Sequence, residues 1–101
     1  MIDCLDYGAS RRVVQSFVRE TKTPCLHGAL AADGGIGRVV WDDKFVIDDE
    51  AGQGAATCED GEHLPFISMV SAQLARSAQE FLKSGRQLSY QIVSRSPSTL
   101  L

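Results

Sequence analysis

Two segments of the chain repeat apolar residues every three or four positions, the spacing that puts side chains on one face of a helix. The first predicts an amphipathic helix over about residues 9–21, closed by Pro24 because proline disfavours helical geometry in the residue before it. The second predicts a helix over about residues 65–84, with Pro65 as its first residue and Gly85 at its end. The apolar positions are Val13, Val14, Phe17 and Val18 in the first helix, and Ile67, Val70, Leu74, Ala78 and Phe81 in the second.

Shorter apolar stretches around these helices predict strands. Residues 2–5 precede the first helix, and residues 25–32 form a near-continuous apolar run typical of a strand buried on both faces. A turn at residues 33–35 joins this run to a β-branched stretch from residue 36, which predicts a hairpin. We further predict a short strand at 44–48, a loop at 49–62 and a closing strand at 87–94. This order of elements predicts an α/β or mixed α+β protein.

Composition narrows the class of protein. A chain of 101 residues forms one domain, and 44% hydrophobic with 23% charged residues is typical of a globular protein rather than a disordered or membrane protein. No apolar run approaches the roughly 20 residues that cross a bilayer. No secretory signal pattern begins the sequence, so we expect a cytoplasmic protein without a membrane partner. A net charge of −3 gives no electrostatic case for nucleic acid.

The spacing of the cysteines and acidic residues gives little support for disulfide bonds or for a metal-binding site. Cys4, Cys25 and Cys58 are odd in number and widely spaced, which argues against a disulfide framework. No C-x-x-C pair is present, so no zinc site is expected. The acidic residues between 42 and 62 read as a solvated connection, because they lack the EF-hand spacing of a metal-binding loop.

Several chemically suggestive residues also have plain structural interpretations. The run "GGIG" at residues 34–37 leads into a strand rather than a helix, so it predicts a hairpin turn and not a phosphate loop. His27 lies in an apolar strand and is interpreted as a buried or strand-end histidine with a satisfied ring nitrogen, whereas His63 is interpreted as solvated. Cys58 precedes a helix, where its thiol would be activated as a nucleophile, or it is an incidental packed thiol. No hydrolase triad is indicated.

Asp6 and Arg11 are the strongest candidates for a site. Asp6 lies where a buried strand gives way to a helix, a position that suits magnesium or phosphate binding in open α/β sheets. A helix N-cap is the alternative for Asp6. Arg11 is either an exposed residue of the first helical turn or a structural partner for nearby carboxylates.

Four stretches together resemble one family, the ThiF/MoeB-type adenylyltransferases related to the ubiquitin-activating enzymes. "IDCLDYGASRRVV" resembles that family's D-C-x-D-N-x-x-A-R segment, and "TPCLHGALAADGGIGRVVW" resembles the strand pair that follows it. "CEDGEHLPFISMVSAQLARSAQEFL" is similar to the next loop and long helix, and "GRQLSYQIV" to the closing strand. The resemblance covers nearly the whole chain in the family's order. It implies the C-terminal half of a Rossmann-like ThiF fold, with a mixed sheet and two main helices, over residues 1–94, followed by a disordered tail at 95–101.

The resemblance also implies a chemistry. Members of the family use ATP and magnesium to adenylate the C-terminal carboxylate of a ubiquitin-like carrier protein or peptide. By resemblance, Asp6 matches the aspartate that binds magnesium at the nucleotide phosphates, and Arg11 matches the motif arginine, which we expect to hold the site in shape. Cys58 falls in the region where some members have a zinc ligand or an acyl-accepting thiol.

Two departures from the family pattern limit this expectation. Tyr7 stands where the motif has asparagine, and no G-x-G-x-x-G loop is present to wrap the ATP phosphates. We therefore expect the chain to be inactive alone and to pair with a complementary N-terminal half or with a second copy through the strand at residues 2–5. The alternative is a small non-catalytic protein-interaction module derived from the same fold.

Overall fold

A computed structural model describes residues 1–5, 8–30, 35–47 and 64–93. In chain order the elements are β1 (Ile2–Asp3), α1 (Gly8–Thr21), β2 (Leu26–Leu30), β3 (Ile36–Trp41), a 3₁₀ helix (Asp42–Lys44), α2 (Leu64–Ser84) and β4 (Tyr90–Val93). The described part of the chain is thus an α/β structure with a four-stranded mixed sheet and two helices. Both helices were predicted to within a residue or two of their observed ends.

The sheet follows the order of the chain, β1-β2-β3-β4. β1 and β2 are parallel and are joined through α1, which makes a β-α-β unit. β2 pairs antiparallel with β3, and β3 pairs antiparallel with β4. The predicted pairing of the two strands around residues 33–35 is confirmed, with Leu30 opposite Gly37, while the turn residues 31–34 lie outside the described residues.

The two helices contact opposite faces of the sheet. Leu26 belongs to the core cluster with residues of α2, and a Cβ placed on Gly28 would contact Leu74 of α2. His27 lies between them on β2, so its side chain points to the other face, where the residues of α1 lie. This alternation puts the apolar core on one side of β2 and a polar cluster on the other.

The core forms where α2 packs against β2 and β3. Its buried members are Leu26, Val39, Trp41, Phe66 and Val70. Gly37 allows the close approach of α2, because a Cβ at this position would lie 2.5 Å from Cγ2 of Val70. At its C-terminus α2 ends as predicted at Gly85, whose positive φ of 75° is a conformation that glycine adopts without strain.

The apolar face of α1 differs from the expected one. Val18 is buried, but Val13 is 71% and Phe17 is 50% exposed. The helix instead turns Arg11 and Gln15 toward the sheet and the 3₁₀ helix, where their side chains donate hydrogen bonds. Polar contacts therefore decide the orientation of α1.

The strand predicted at 44–48 is wrong for the residues that the structure describes. A 3₁₀ helix occupies Asp42–Lys44, and residues 45–47 form no strand. The chain leaves the sheet after Trp41 because Asp42 and Phe45 turn toward His27, as described below. Likewise, β4 begins at Tyr90 rather than at residue 87. The backbone N–H of Trp41 donates to the side-chain oxygen of Ser89 at 3.1 Å, where a longer strand would supply a backbone carbonyl.

The predicted loop at 49–62 and tail at 95–101 lie outside the described residues. Within the described residues, neither helix combines the length and apolar character that crossing a membrane requires.

Candidate functional site

His27 lies at the centre of a buried polar cluster. Its side chain has no solvent exposure. Nδ1 is 2.6 Å from Oδ2 of Asp3, and Nε2 is 2.8 Å from Oδ1 of Asp42. The strand register explains the arrangement: Asp3 is paired with His27 across β1 and β2, and Asp42 directly follows Trp41, which is paired with Leu26. The term His27 cluster is used below for Asp3, Arg11, His27 and Asp42.

A doubly protonated ring fits the hydrogen-bond geometry around His27. A neutral imidazole has one N–H and donates to only one acceptor, whereas the doubly protonated ring donates from both nitrogens. Each ring nitrogen here faces a carboxylate oxygen at hydrogen-bond distance. Ionised Asp3 and Asp42 on either side of a protonated His27 therefore satisfy all three groups.

Asp3 has no exposed side-chain surface and uses both of its carboxylate oxygens within the protein. Oδ1 accepts a hydrogen bond from the backbone N–H of Leu5 at 2.9 Å, and Oδ2 faces His27. A buried carboxylate needs such partners, and these contacts hold Asp3 and the backbone of Leu5 in place.

Arg11 connects the first turn of α1 to both parallel strands. It is only 8% exposed. Nη2 donates to the carbonyl oxygen of Gly28 at 2.8 Å, and Nη1 is 3.6 Å from Oδ2 of Asp3. Its guanidinium carbon also lies 5.2 Å from the centre of the Phe45 ring, within the range of a cation–π contact. Of the two roles considered for Arg11, the structure shows the buried partner and not the exposed residue.

Asp42 is held from a second side by α1. Arg19 Nε donates to Oδ2 at 2.9 Å, and Gln15 Nε2 donates to Oδ1 at 3.3 Å. Partial burial alone would raise the pKa of Asp42, but hydrogen bonds from Arg19, His27 and Gln15 outweigh it and lower the pKa from 3.8. Asp42 is therefore a stable carboxylate partner for His27 at neutral pH.

Phe45 closes the cluster on the side of the 3₁₀ helix. Its ring stacks on the His27 ring at a centroid distance of 4.1 Å and an angle of 9°. Gln15 also donates to the carbonyl oxygen of Phe45 at 3.3 Å. The cluster is thus covered by an aromatic ring, which explains the complete burial of His27.

The structure brings only some of the predicted site residues together. Arg11 lies in the His27 cluster, while Asp6, Cys58 and His63 fall outside the described residues. Asp6 comes after Asp3 and before α1 along the chain, so two members of the cluster bracket it in sequence. Among the described residues, no group of three or more His, Cys, Asp or Glu side chains could hold a metal ion.

The two described thiols are not activated as nucleophiles. Burial raises the pKa of Cys4, and the negative charge of Asp3 raises it further. The same two causes raise the pKa of Cys25, which is itself buried. Both cysteines therefore remain protonated thiols at neutral pH.

Sequence reasoning found the burial of His27 but missed its two carboxylate partners. Asp3 was visible as an acid inside a short apolar strand, and Asp42 as the acid that ends another strand. A buried histidine needs hydrogen-bond partners, and acids in neighbouring strands are natural choices. What the sequence could not supply was the register that puts Asp3 directly beside His27.

The cluster is a positioning device rather than a reaction centre open to substrate. Its histidine is fully buried, and both ring nitrogens are already bonded to carboxylates. Its contacts join β1, α1, β2 and the 3₁₀ helix. No protein family, curated protein or solved structure matches this chain.

Proposed function

We propose that this chain is part of a ThiF/MoeB-type adenylyltransferase and supplies the magnesium-binding turn of its ATP site. In this proposal Asp6 binds the magnesium ion that accompanies ATP, and Arg11 positions the turn that carries Asp6. The substrate is the C-terminal carboxylate of a ubiquitin-like carrier protein or peptide. The proposed setting is the cytoplasm, where three cysteines without a disulfide framework stay reduced.

The β-α-β unit supports this proposal. β1 and β2 are parallel, and the residues between β1 and α1 follow the carboxyl end of β1. Ligands of open α/β sheets bind beyond the carboxyl ends of the strands. Asp6 occupies such a position in the chain order, next to the start of α1.

The anchoring of Arg11 is the observation that carries the proposal. Asp3, before the turn, is fixed by His27, and Arg11, after the turn, is fixed by the carbonyl oxygen of Gly28. The chain on both sides of Asp6 is therefore held against the same two strands. A carboxylate carried between two anchored positions loses less entropy when it binds an ion than one on a free chain, which supports the role proposed for Asp6.

The chemistry of the proposed reaction is nucleotidyl transfer. The substrate carboxylate attacks the α-phosphorus of ATP, and pyrophosphate leaves. Magnesium, when bound, neutralises the charge that develops on the phosphates. Nη2 of Arg11 is bonded to Gly28, and Nη1 is a buried donor 3.6 Å from Asp3 that has no hydrogen-bond partner among the described residues. Because the side chain is buried, the role proposed for Arg11 is to position Asp6 rather than to touch the nucleotide.

The phosphate-wrapping loop must come from elsewhere. None of these 101 residues forms a G-x-G-x-x-G motif. A complementary segment or a partner chain would supply it, and we expect no ATP–pyrophosphate exchange from these residues alone. ATP–pyrophosphate exchange that this chain catalyses alone, and that Asp6→Ala abolishes, would show that these residues suffice for the reaction.

Binding of manganese–ATP to the isotope-labelled chain tests the proposal directly. Mn²⁺ replaces Mg²⁺ and broadens the NMR signals of nearby amides. We expect broadening of Leu5, Gly8 and Ala9 when ATP and Mn²⁺ are both present, and its loss in Asp6→Asn. Broadening that is absent from this turn, or that persists in Asp6→Asn, would contradict the proposal. Asp43→Asn is the matched control, because Asp43 is an exposed acid outside the cluster.

The alternative, a protein-interaction module, draws on a different observation. β1 lies at the edge of the described sheet, and the side chains of Met1 and Ile2 are each 53% exposed. Edge strands with apolar neighbours favour pairing with another chain. Size-exclusion chromatography combined with light scattering checks this: self-association that Ile2→Lys reduces, without any ATP-dependent broadening at the Asp6 turn, would favour the module.

A further inference from the structure

A second polar site lies on the α2 side of the sheet, away from the His27 cluster. A cavity of about 220 Å³ opens between the second half of α2 and the segment that leads into β4. The polar and charged residues that line it are Gln73, Arg76, Ser77, Glu80, Arg86 and Tyr90. A cavity of this volume has room for one phosphate group with part of its hydration.

Hydrogen-bond donors dominate the lining of this cavity. Within the described residues, the guanidinium groups of Arg76 and Arg86 have no ion-pair or hydrogen-bond partner. Ser77 is only 4% exposed, and its Oγ accepts a hydrogen bond from Gln73 at 3.1 Å. Among the described residues the Ser77 hydroxyl accepts this hydrogen bond and donates none, so its proton is available to a ligand.

The acceptors of the cavity are fewer than its donors. Glu80 contributes the one carboxylate of the lining, and its Oε1 already accepts a hydrogen bond from the Ser84 hydroxyl at 2.9 Å. Two guanidinium groups and one carboxylate leave a net positive charge. The excess of donors and the positive charge therefore suit an anion with several acceptor oxygens.

We propose that this cavity binds the phosphate group of a small ligand. Guanidinium groups pair with phosphate through two parallel hydrogen bonds, and two of them flank this space. The buried Ser77 hydroxyl supplies a further donor from the α2 side. This site is separate from the proposed ATP turn, since its residues come from α2 and from the segment around the start of β4.

An NMR titration of the labelled chain tests this site. Inorganic phosphate and O-phosphoserine are added separately, with sodium chloride at matched ionic strength as the reference. We expect saturable shifts of the amides of residues 73–80 and 86–90 with at least one of the two phosphates. Tighter binding of phosphoserine would identify a phosphate ester as the ligand, and tighter binding of inorganic phosphate would identify the free ion.

Three variants distinguish specific phosphate binding in the cavity from nonspecific attraction of phosphate to positive charge. Arg76→Gln and Arg86→Gln should each weaken phosphate binding about tenfold, because each removes one charge-assisted contact. Arg38→Gln is the matched control: it removes an exposed arginine outside the cavity and should change the affinity by less than about twofold. Shifts that chloride reproduces, or an equal loss in Arg38→Gln, would overturn the proposal. The titration probes only α2 and the segment around β4. A negative result would therefore not contradict the proposed ATP site at Asp6.

Discussion

Replacement of His27 by glutamine tests whether the buried cluster is ionic. Glutamine keeps one hydrogen-bond donor group near Asp3 or Asp42 but carries no charge and cannot reach both carboxylates as the ring does. Asp3 would then remain buried with Arg11 Nη1, 3.6 Å away, as its remaining charged neighbour in the cluster. The substitution also removes the ring that stacks on Phe45.

The expected cost is large for a protein of this size. Removing one partner of a buried ion pair costs about 3–5 kcal/mol. One hydrogen bond that glutamine retains returns about 1 kcal/mol, so the free energy of unfolding should fall by about 2–4 kcal/mol. Small domains are stable by only about 5–15 kcal/mol, so a loss of this size would be plainly measurable.

Urea denaturation at pH 7 measures this change. Trp41, the single tryptophan of the sequence, is buried in the core and reports unfolding by its fluorescence. With an m-value of about 2 kcal/mol/M, the middle of the usual range for urea, the midpoint should fall by about 1–2 M. Asp43→Asn, which removes an exposed charge next to the cluster, should change stability by less than about 0.5 kcal/mol.

A double-mutant cycle with Asp3→Asn separates the ionic interaction from simple loss of packing. We expect the two substitutions to be coupled by about 1–3 kcal/mol, because each removes the partner of the other. A loss below about 1 kcal/mol in His27→Gln, or additive effects to within about 0.5 kcal/mol, would refute the view that His27 is a charged bridge.

Three further predictions concern the carboxylate of Asp42, the glycine at position 37 and the thiol of Cys4. Because the pKa of Asp42 is lowered from 3.8 in the folded protein, its contribution is full above that pH and is lost as the pH falls through the folded value. Asp42→Asn should therefore lose less stability than the parent protein between about pH 5 and pH 2 in urea denaturation. Gly37→Ala should destabilise the protein by about 1–3 kcal/mol because its Cβ would meet Val70 at 2.5 Å, and calorimetry of the double variant with Val70→Ala should show partial rescue. Alkylation of Cys4 near pH 8 should be slower than that of a free cysteine, since its pKa is raised; a rate above that of the free amino acid would contradict this.

Helical periodicity was a reliable guide to where the helices lie but not to how one of them is oriented. In α2 the predicted positions Val70, Leu74, Ala78 and Phe81 do face the core. In α1 the same reasoning assigned Val13 and Phe17 to the buried face, and both are exposed. Periodicity counts apolar residues, whereas α1 is oriented by the hydrogen bonds of polar ones.

The predicted strand at 44–48 failed for a related reason. Its β-branched and aromatic residues favour a strand locally. Phe45, however, stacks on His27, and the preceding Asp42 bonds to the same ring. These contacts depend on the position of β2 in the folded protein, so no local pattern could reveal them.

The candidate site could be predicted only in part. Arg11 was recognised from its place in a motif, but its bond to the carbonyl oxygen of Gly28 depends on the packing of α1 over two parallel strands. Asp3 and Asp42 belong to segments 39 positions apart in the chain that meet only through the strand pairing. Long-range register is the information that a single sequence lacks.

The affinity of the Arg11→Gln variant for manganese–ATP tests the central claim most directly, because the account assigns Arg11 the task of positioning the Asp6 turn. The measurement is the broadening of Leu5, Gly8 and Ala9 as a function of nucleotide concentration, with Arg38→Gln, which removes an exposed arginine on β3, as the control. We predict that Arg11→Gln remains folded and weakens this binding about tenfold or more, whereas Arg38→Gln leaves it within about twofold. Equal affinity in Arg11→Gln and the parent chain, or no ATP-dependent broadening in the parent chain, would contradict the account.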